Sequence, residues 1–229
     1  MTATSTVGRF ADVRAVLFDL DGTLVDSAPD LAGAANELLS LHGRAPLPYE
    51  ALRSVAGSGA RGMLGAGFGI EPGDDDYADL REEFIALYAR RLLQSSAVFV
   101  AVGPLLSAIE AVGCPWGVVT NKALFLAEPL LVGVGLRHRA AVLVGGDSTP
   151  HTKPHPAPLL HAANELGLQG RRLLYVGDDA RDVQAGRAAG MATVAAAWGY
   201  MGRGLAVEHW GADKVAATPD VLLNWLELA

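Results

Sequence analysis

Val13-Arg-Ala-Val-Leu-Phe-Asp-Leu-Asp-Gly-Thr-Leu-Val-Asp-Ser27 is the stretch that decides the fold. Residues Val13 to Leu20 form a short apolar run, rich in β-branched and aromatic types, which breaks at Gly22. A run of that kind suits a strand buried on both faces, in the middle of a parallel sheet. At its carboxyl end stand two carboxylates, Asp19 and Asp21. In extended chain, a spacing of two turns both side chains to one face. Two acids crowded at a strand end repel each other, so the pattern asks for a cation between them. A lone Asp here would read as a cap on the next helix; the whole string Asp19 to Leu24 carries more than that.

Downstream, Ser27-Ala-Pro-Asp30 has the form of a helix start, with Pro29 suited to the first turn. Leu31, Ala34, Leu38 and Leu41 repeat at helical spacing, and His42-Gly43 closes the segment. A second helical stretch covers Tyr49 to Val55, and a small-residue helix ends near Gly69. Asp74-Asp75-Asp76 opens a long helix with Leu80, Phe84, Leu87 and Arg91 along one side. Acids at a helix start complement its dipole, which explains this triplet without a metal.

From Ala97 the pattern becomes strand alternating with helix. Strands are expected over Pro115–Asn121, Ala141–Gly146, Arg172–Asp178 and Ala192–Trp198, with an edge strand at Lys214–Thr218. Helices are expected over Pro104–Val112, Leu124–Val132, Pro156–Leu166, Ala180–Ala189 and Val221–Leu228. The class is α/β, a doubly wound parallel Rossmann-like sheet. About 100 residues separate Asp21 from Thr120, where a βαβ crossover needs only a dozen or so. Residues 27–96 are therefore expected to be an all-helical cap domain inserted after the first strand. The core is then 1–26 and 97–229, with hinges near Asp26–Ala28 and Ser95–Val100.

With 51% hydrophobic and 19% charged residues in 229, the chain has ample material for a core. A net charge of −7 speaks against a nucleic-acid surface. Cys114 is the single cysteine, so no internal disulfide is expected. Met1 to Asp12 lacks the apolar stretch of a signal peptide, and no membrane span is expected. These features suit a cytoplasmic protein with neither membrane nor nucleic-acid partner. Of 18 basic residues only Lys122, Lys153 and Lys214 are lysine. A chain so rich in arginine keeps lysine where a compact ammonium is needed.

Three further strand ends are polar. Trp116-Gly-Val-Val-Thr-Asn-Lys122 ends in Thr120, Asn121 and Lys122; His151-Thr-Lys-Pro-His155 follows the third strand; the fourth ends in Asp178, Asp179 and Asp182. Open α/β sheets bind ligands beyond the carboxyl ends of their strands, so the four groups should share one crevice. Carboxylates there suit a hard cation, Mg²⁺ when phosphate is also bound. A hydroxyl, an amide and an ammonium suit phosphate oxygens. Lys122 reads equally as an exposed lysine at a helix start.

Asp19-x-Asp21-Gly-Thr23, Thr120-Asn121, Lys153-Pro154 and Gly177-Asp178-x₃-Asp182, in this order, resemble the haloacid-dehalogenase-like hydrolases, specifically their Mg²⁺-dependent phosphatases. The insertion after the first motif is the cap position of the phosphoglycolate-phosphatase-like branch. The resemblance implies Asp19 as nucleophile forming an aspartyl-phosphate. It implies Asp21 as the acid and base that protonates the leaving alcohol and then activates water. Mg²⁺ would be held by Asp19, the Asp21 carbonyl and Asp178, with Asp182 orienting a bound water or Lys153. Thr120, Asn121 and Gly22 would meet the phosphorylated metabolite, and Lys153 would offset the charge it shares with Asp19.

Trp116 to Lys122, Ala127-Glu-Pro129 and His209-Trp-Gly-Ala-Asp213 also resemble the bacterial N-acetylmuramate 6-phosphate phosphatases. A phosphosugar mutase shares the core residues and stays open, as does a non-catalytic binding domain. A phosphonate-cleaving relative needs a cap lysine, and residues 27–96 contain none. Asp21 argues against a halide-displacing enzyme, which typically lacks the second acid.

Gly57-Ser-Gly-Ala-Arg-Gly62 matches the dinucleotide fingerprint but follows a helical stretch instead of a strand, so that reading fails. It is expected to be a cap loop over the crevice, with Ser58 and Arg61 at the leaving group and Arg61 suited to a carboxylate. His151 and His155 flank a proline and do not form a helical ligand pair. Trp198-Gly-Tyr200 is expected to serve packing.

Overall fold

The computed structural model describes Phe10, residues 12–202 and residues 204–226. In chain order it contains β1 (Ala15–Phe18), β2 (Val25–Asp26), α1 (Ala28–Leu41), α2 (Tyr49–Arg53), α3 (Gly59–Phe68), α4 (Tyr77–Arg91) and β3 (Ala97–Val98). There follow α5 (Val102–Ala111), β4 (Trp116–Val119), α6 (Leu124–Gly133), β5 (Leu143–Val144), α7 (Ala157–Glu165), β6 (Leu173–Gly177), α8 (Ala180–Ala188), β7 (Ala192–Ala196), β8 (Lys214–Ala216) and α9 (Pro219–Leu223). Each expected strand and helix of the alternating half is present, most of them shortened at the ends. The helix expected over Val221–Leu228 begins earlier, at Pro219, and its residues 227–228 lie outside the described set.

Six strands pair in parallel in the order β5-β4-β1-β6-β7-β8. The apolar run of β1 explains its central place: Ala15, Val16, Leu17 and Phe18 have no exposed surface. Side chains alternate between two cores. Val16 and Phe18 join the one that takes in α5, α6, α9 and the inserted helices, while Ala15 and Leu17 join the one under α7 and α8. The chain runs from β1 to β4 on one side and later crosses to β6 on the other. The carboxyl end of β1 is thus a topological switch point, where a crevice must open.

Helices α1 to α4 fill the segment between β2 and β3, and β2 and β3 pair antiparallel as the two connectors of this insertion. Sequence periodicity missed that ribbon because two residues show no alternation. Buried Asp30 stitches its base, accepting from Ser95 N at 3.0 Å and Ser96 N at 2.8 Å. Leu31, Ala34 and Leu38 of α1 pack against Leu80, Phe84 and Leu87 of α4, whereas Leu41 is exposed. The stretch Gly57–Gly62 is not a loop: a 3₁₀ turn at Ala56–Ser58 runs directly into α3. Glycine disfavours helix by about 1 kcal/mol, which hid this helix start. Here Gly62 is needed for contact, since a Cβ would stand 2.3 Å from the Val55 carbonyl.

Candidate active site

The chain beyond β1 turns sharply, Gly22 N–H bonding to Val25 O at 2.9 Å. Gly22 has φ +84°, and a Cβ there would stand 2.2 Å from Asp178 Oδ2. Only glycine lets this turn lie against Asp178. Gly22, expected at the substrate, does not line the cavity; it packs beneath, against Asp178 and Tyr200.

Asp19, Asp21, Thr120, Lys153 and Asp182 line a single cavity of about 260 Å³, and Ser58 and Arg61 of the insertion line its opposite wall. Buried Lys153 makes three hydrogen bonds, to Val119 O (3.1 Å), Tyr175 Oη (2.8 Å) and Asp182 Oδ1 (2.7 Å). An ammonium has three protons, and all are taken. Its Nζ also lies 2.8 Å from Asp19 Oδ1, an ion pair. Asp19 Oδ1 is buried against that ammonium. Burial pulls Lys153 toward neutrality, but the Asp182 and Asp19 carboxylates outweigh it and raise its pKa.

Asp178 accepts from Thr23 Oγ1 at 3.0 Å and from Tyr200 N at 2.7 Å. Burial first, then the charges of Asp19 and Asp182, push it well above the ordinary carboxylate range. One carboxylate oxygen from each of Asp19, Asp178 and Asp182 lies within 4.8 Å of the others. Three carboxylates around one ammonium leave negative charge unbalanced, and the oxygen-only donor set fits a hard cation such as Mg²⁺. The Asp21 side chain is not in this cluster, so only its backbone carbonyl remains for the ligand role expected of it.

Asp21 has other company. Lys122 Nζ donates to its two oxygens at 3.1 and 3.0 Å and to Tyr88 Oη at 2.8 Å, while Ser27 Oγ donates to its Oδ1. Lys122 is thus no exposed helix-start lysine; its side chain is 6% exposed. Burial lowers its pKa, and Asp21 and Tyr88 reverse that and raise it overall. Asn121, expected at phosphate, lines the cavity, and its side-chain amide bonds the backbone of Lys153. Thr120 is buried at the end of β4, its Oγ1 accepting from Lys122 N at 3.2 Å. Arg61 is two-thirds exposed and paired with Glu71 at 2.8 Å.

Sequence reasoning missed Tyr175, Tyr88, Tyr200 and Arg181. Tyr175 alternates correctly as a core strand residue, yet its hydroxyl carries Lys153 and donates to Val119 O at 2.8 Å. Arg181 grips Asp179 through both oxygens and donates to Gly57 O of the insertion at 2.8 Å. An arginine in the first turn of α8, two residues after Asp179, was the available signal. Tyr200 was assigned to packing, and its hydroxyl in fact bonds Ser27, Ala28 and Asp26.

Residues 13–190 match the family model described as haloacid dehalogenase-like hydrolase. An N-acetylmuramic acid 6-phosphate phosphatase of Pseudomonas aeruginosa is 40% identical over 217 residues, covering 95% of this chain and 96% of its own. A phosphoglycolate phosphatase of Xanthomonas campestris pv. campestris is 44% identical over 209 residues, covering 91% and 94%. The crystal structure of a predicted phosphoglycolate phosphatase from Haemophilus somnus superposes with TM-score 0.83 at 29% identity, over 93% of this chain and 98% of that one. Among the described residues, no helix is long and apolar enough to cross a membrane. With the four motifs gathered at one sheet end, this chain belongs to the haloacid dehalogenase-like hydrolase family, as one of its phosphatases.

Proposed function

We propose that this phosphatase hydrolyses a small, carboxylate-bearing phosphomonoester, 2-phosphoglycolate first among them, through a covalent intermediate on Asp19. The observation that carries this is Asp19 lining the cavity beside Asp21, with its Oδ1 ion-paired to the buried Lys153 ammonium at 2.8 Å. That contact fixes the carboxylate at the cavity wall, where Asp19 can meet a phosphoryl group.

In the first half-reaction Asp19 attacks phosphorus and the ester P–O bond breaks. Asp21 gives its proton to the leaving oxygen, releasing the alcohol. In the second, Asp21, now a carboxylate, takes a proton from water as that water attacks phosphorus; the acyl phosphate bond breaks and Asp19 is restored. Lys153 offsets the charge shared by Asp19 and the phosphoryl group throughout. Thr120 faces the phosphoryl oxygens. Mg²⁺, held by Asp19, Asp178 and the Asp21 carbonyl, would supply charge neutralisation of those oxygens. Asp182 and Asn121 fix Lys153, one at its ammonium and one at its backbone. In this reading residues 27–96 form a cap that moves on the β2–β3 connectors and lays Ser58 and Arg61 over the leaving group. The working place is the cytoplasm, where a lone free thiol such as Cys114 is ordinary.

A second substrate, N-acetylmuramate 6-phosphate, is favoured by the cavity itself. Its 260 Å³ and its apolar wall of Leu31, Phe84 and Ile85 exceed what a two-carbon leaving group fills. Both candidates carry a carboxylate. Phosphate release from 2-phosphoglycolate, N-acetylmuramate 6-phosphate, glucose 6-phosphate and p-nitrophenyl phosphate, with and without Mg²⁺, tests this. Preference for either carboxylated ester supports the proposal. Isomerised sugar phosphate without net phosphate release, or no Mg²⁺-dependent turnover at all, overturns it.

A further inference from the structure

Ser27 stands where the N-cap of α1 belongs, and serine is favoured there because its hydroxyl accepts from the N–H of the second or third helical residue, here Pro29, which has none, or Asp30. Here it makes no such bond; its hydroxyl is turned to Asp21 instead. A residue from far along the chain serves the two N–H groups that precede these. Tyr200 Oη accepts from Ser27 N at 2.8 Å and from Ala28 N at 2.9 Å, and donates to Asp26 Oδ1 at 3.0 Å. Both lone pairs and the single proton of the phenol are used. Pro29, which follows, brings no N–H in need of an acceptor. The backbone N–H of Tyr200 meanwhile donates to Asp178 Oδ2 at 2.7 Å.

We propose that Tyr200 is a positioning residue for phosphoryl transfer: by holding the backbone of Ser27 and Ala28 it aims the Ser27 hydroxyl at Asp21, while its own backbone orients Asp178. The link is the Ser27 backbone: Tyr200 Oη fixes the N–H groups of Ser27 and Ala28, and with them the direction in which the Ser27 side chain leaves the chain. Without Tyr200 Oη those buried N–H groups lack an acceptor. The backbone then shifts to find one and carries Ser27 Oγ away from Asp21. The inference rests on the reading of Asp21 as the acid that protonates the leaving oxygen.

Tyr200→Phe removes only the phenol oxygen, keeping the ring and the backbone donor to Asp178. An aryl oxide departs with little proton assistance and an alkoxide does not, so a displaced Asp21 penalises alkyl phosphates selectively. In Tyr200→Phe, kcat/KM for the alkyl phosphomonoester turned over fastest in the screen above should fall about tenfold more than kcat/KM for p-nitrophenyl phosphate, a fraction of the roughly 10²–10⁴-fold a general acid supplies. Ser27→Ala should give the same skew. Trp198→Phe, which removes only the indole donor to Thr23 O on the same loop, should lower both substrates alike. In the metal-free protein, the Ser27 and Ala28 amides should exchange faster in Tyr200→Phe than in wild type. Equal losses on both substrates in Tyr200→Phe, or unchanged exchange at those two amides, overturns the proposal. Absence of any skew in Ser27→Ala strikes instead at the reading of Asp21, and amide exchange then decides the cap alone.

Discussion

The side-chain amide of Asn121 holds Lys153 by its own backbone, accepting from Lys153 N at 2.9 Å and donating to Lys153 O at 3.0 Å. This clip joins the end of β4 to the loop after β5, and it sets where the lysine stem begins. The ammonium at the other end then meets Asp19 and Asp182 without further adjustment.

Replacing Asn121 by alanine removes both bonds, worth about 1–3 kcal/mol together. Thermal unfolding should register the loss, and kcat should fall by more than KM changes, because a misplaced Lys153 fails mainly in the transition state. Asn121→Asp keeps the acceptor and loses the donor, so it should fall between alanine and wild type. Turnover by the alanine variant at the wild-type rate would contradict the clip's role.

Lys122 joins Asp21 of the core to Tyr88 of α4. Lys122→Met leaves Asp21 near the protein interior without its cation. Breaking a fully buried pair costs about 3–5 kcal/mol, and the cost here should be smaller because the Asp21 side chain is 16% exposed to the cavity. Chemical denaturation should therefore show a loss of about 1–3 kcal/mol. Tyr88→Phe keeps the pair and should lose much less. Equal stability of the two variants would show that Lys122 contributes little through Asp21.

The raised pKa of Asp178 carries a pH signature. Burial and the neighbouring Asp19 and Asp182 charges favour its protonated form in the fold. That contribution to stability is complete below the unfolded carboxylate value and is lost as pH rises through the raised folded value. A bound cation reverses the preference by favouring the ionised form. The increase in Tm on adding Mg²⁺ should accordingly be larger at pH 8 than at pH 5.5, and Asp178→Asn should flatten the difference. The same increment at both pH values would contradict the assignment of Asp178 to the cation.

Much of the site was legible because its chemistry sits in short strings at strand ends. Asp19, Asp21 and Asp178 each follow a buried apolar run, and Lys153 is one of only three lysines. What stayed hidden depends on partners remote in sequence. Tyr200 reaches Ser27 across 173 positions and Lys122 reaches Asp21 across 101; no local period encodes either contact. Tyr175 looked like core because it is core, with its ring buried and only its hydroxyl at work. The start of α3 was obscured by its glycines, of which Gly62 is there for close packing against Val55, a role that helix propensity does not register.

The central claim is that Asp19 itself receives the phosphoryl group. Acid quench of the enzyme during turnover with Mg²⁺, followed by digestion and mass spectrometry, reads this directly. The account predicts a phosphoryl group on the peptide containing Asp19, absent in Asp19→Asn, which should remain folded and inactive. Full turnover with no acyl phosphate on Asp19, or substantial turnover by Asp19→Asn, would contradict it.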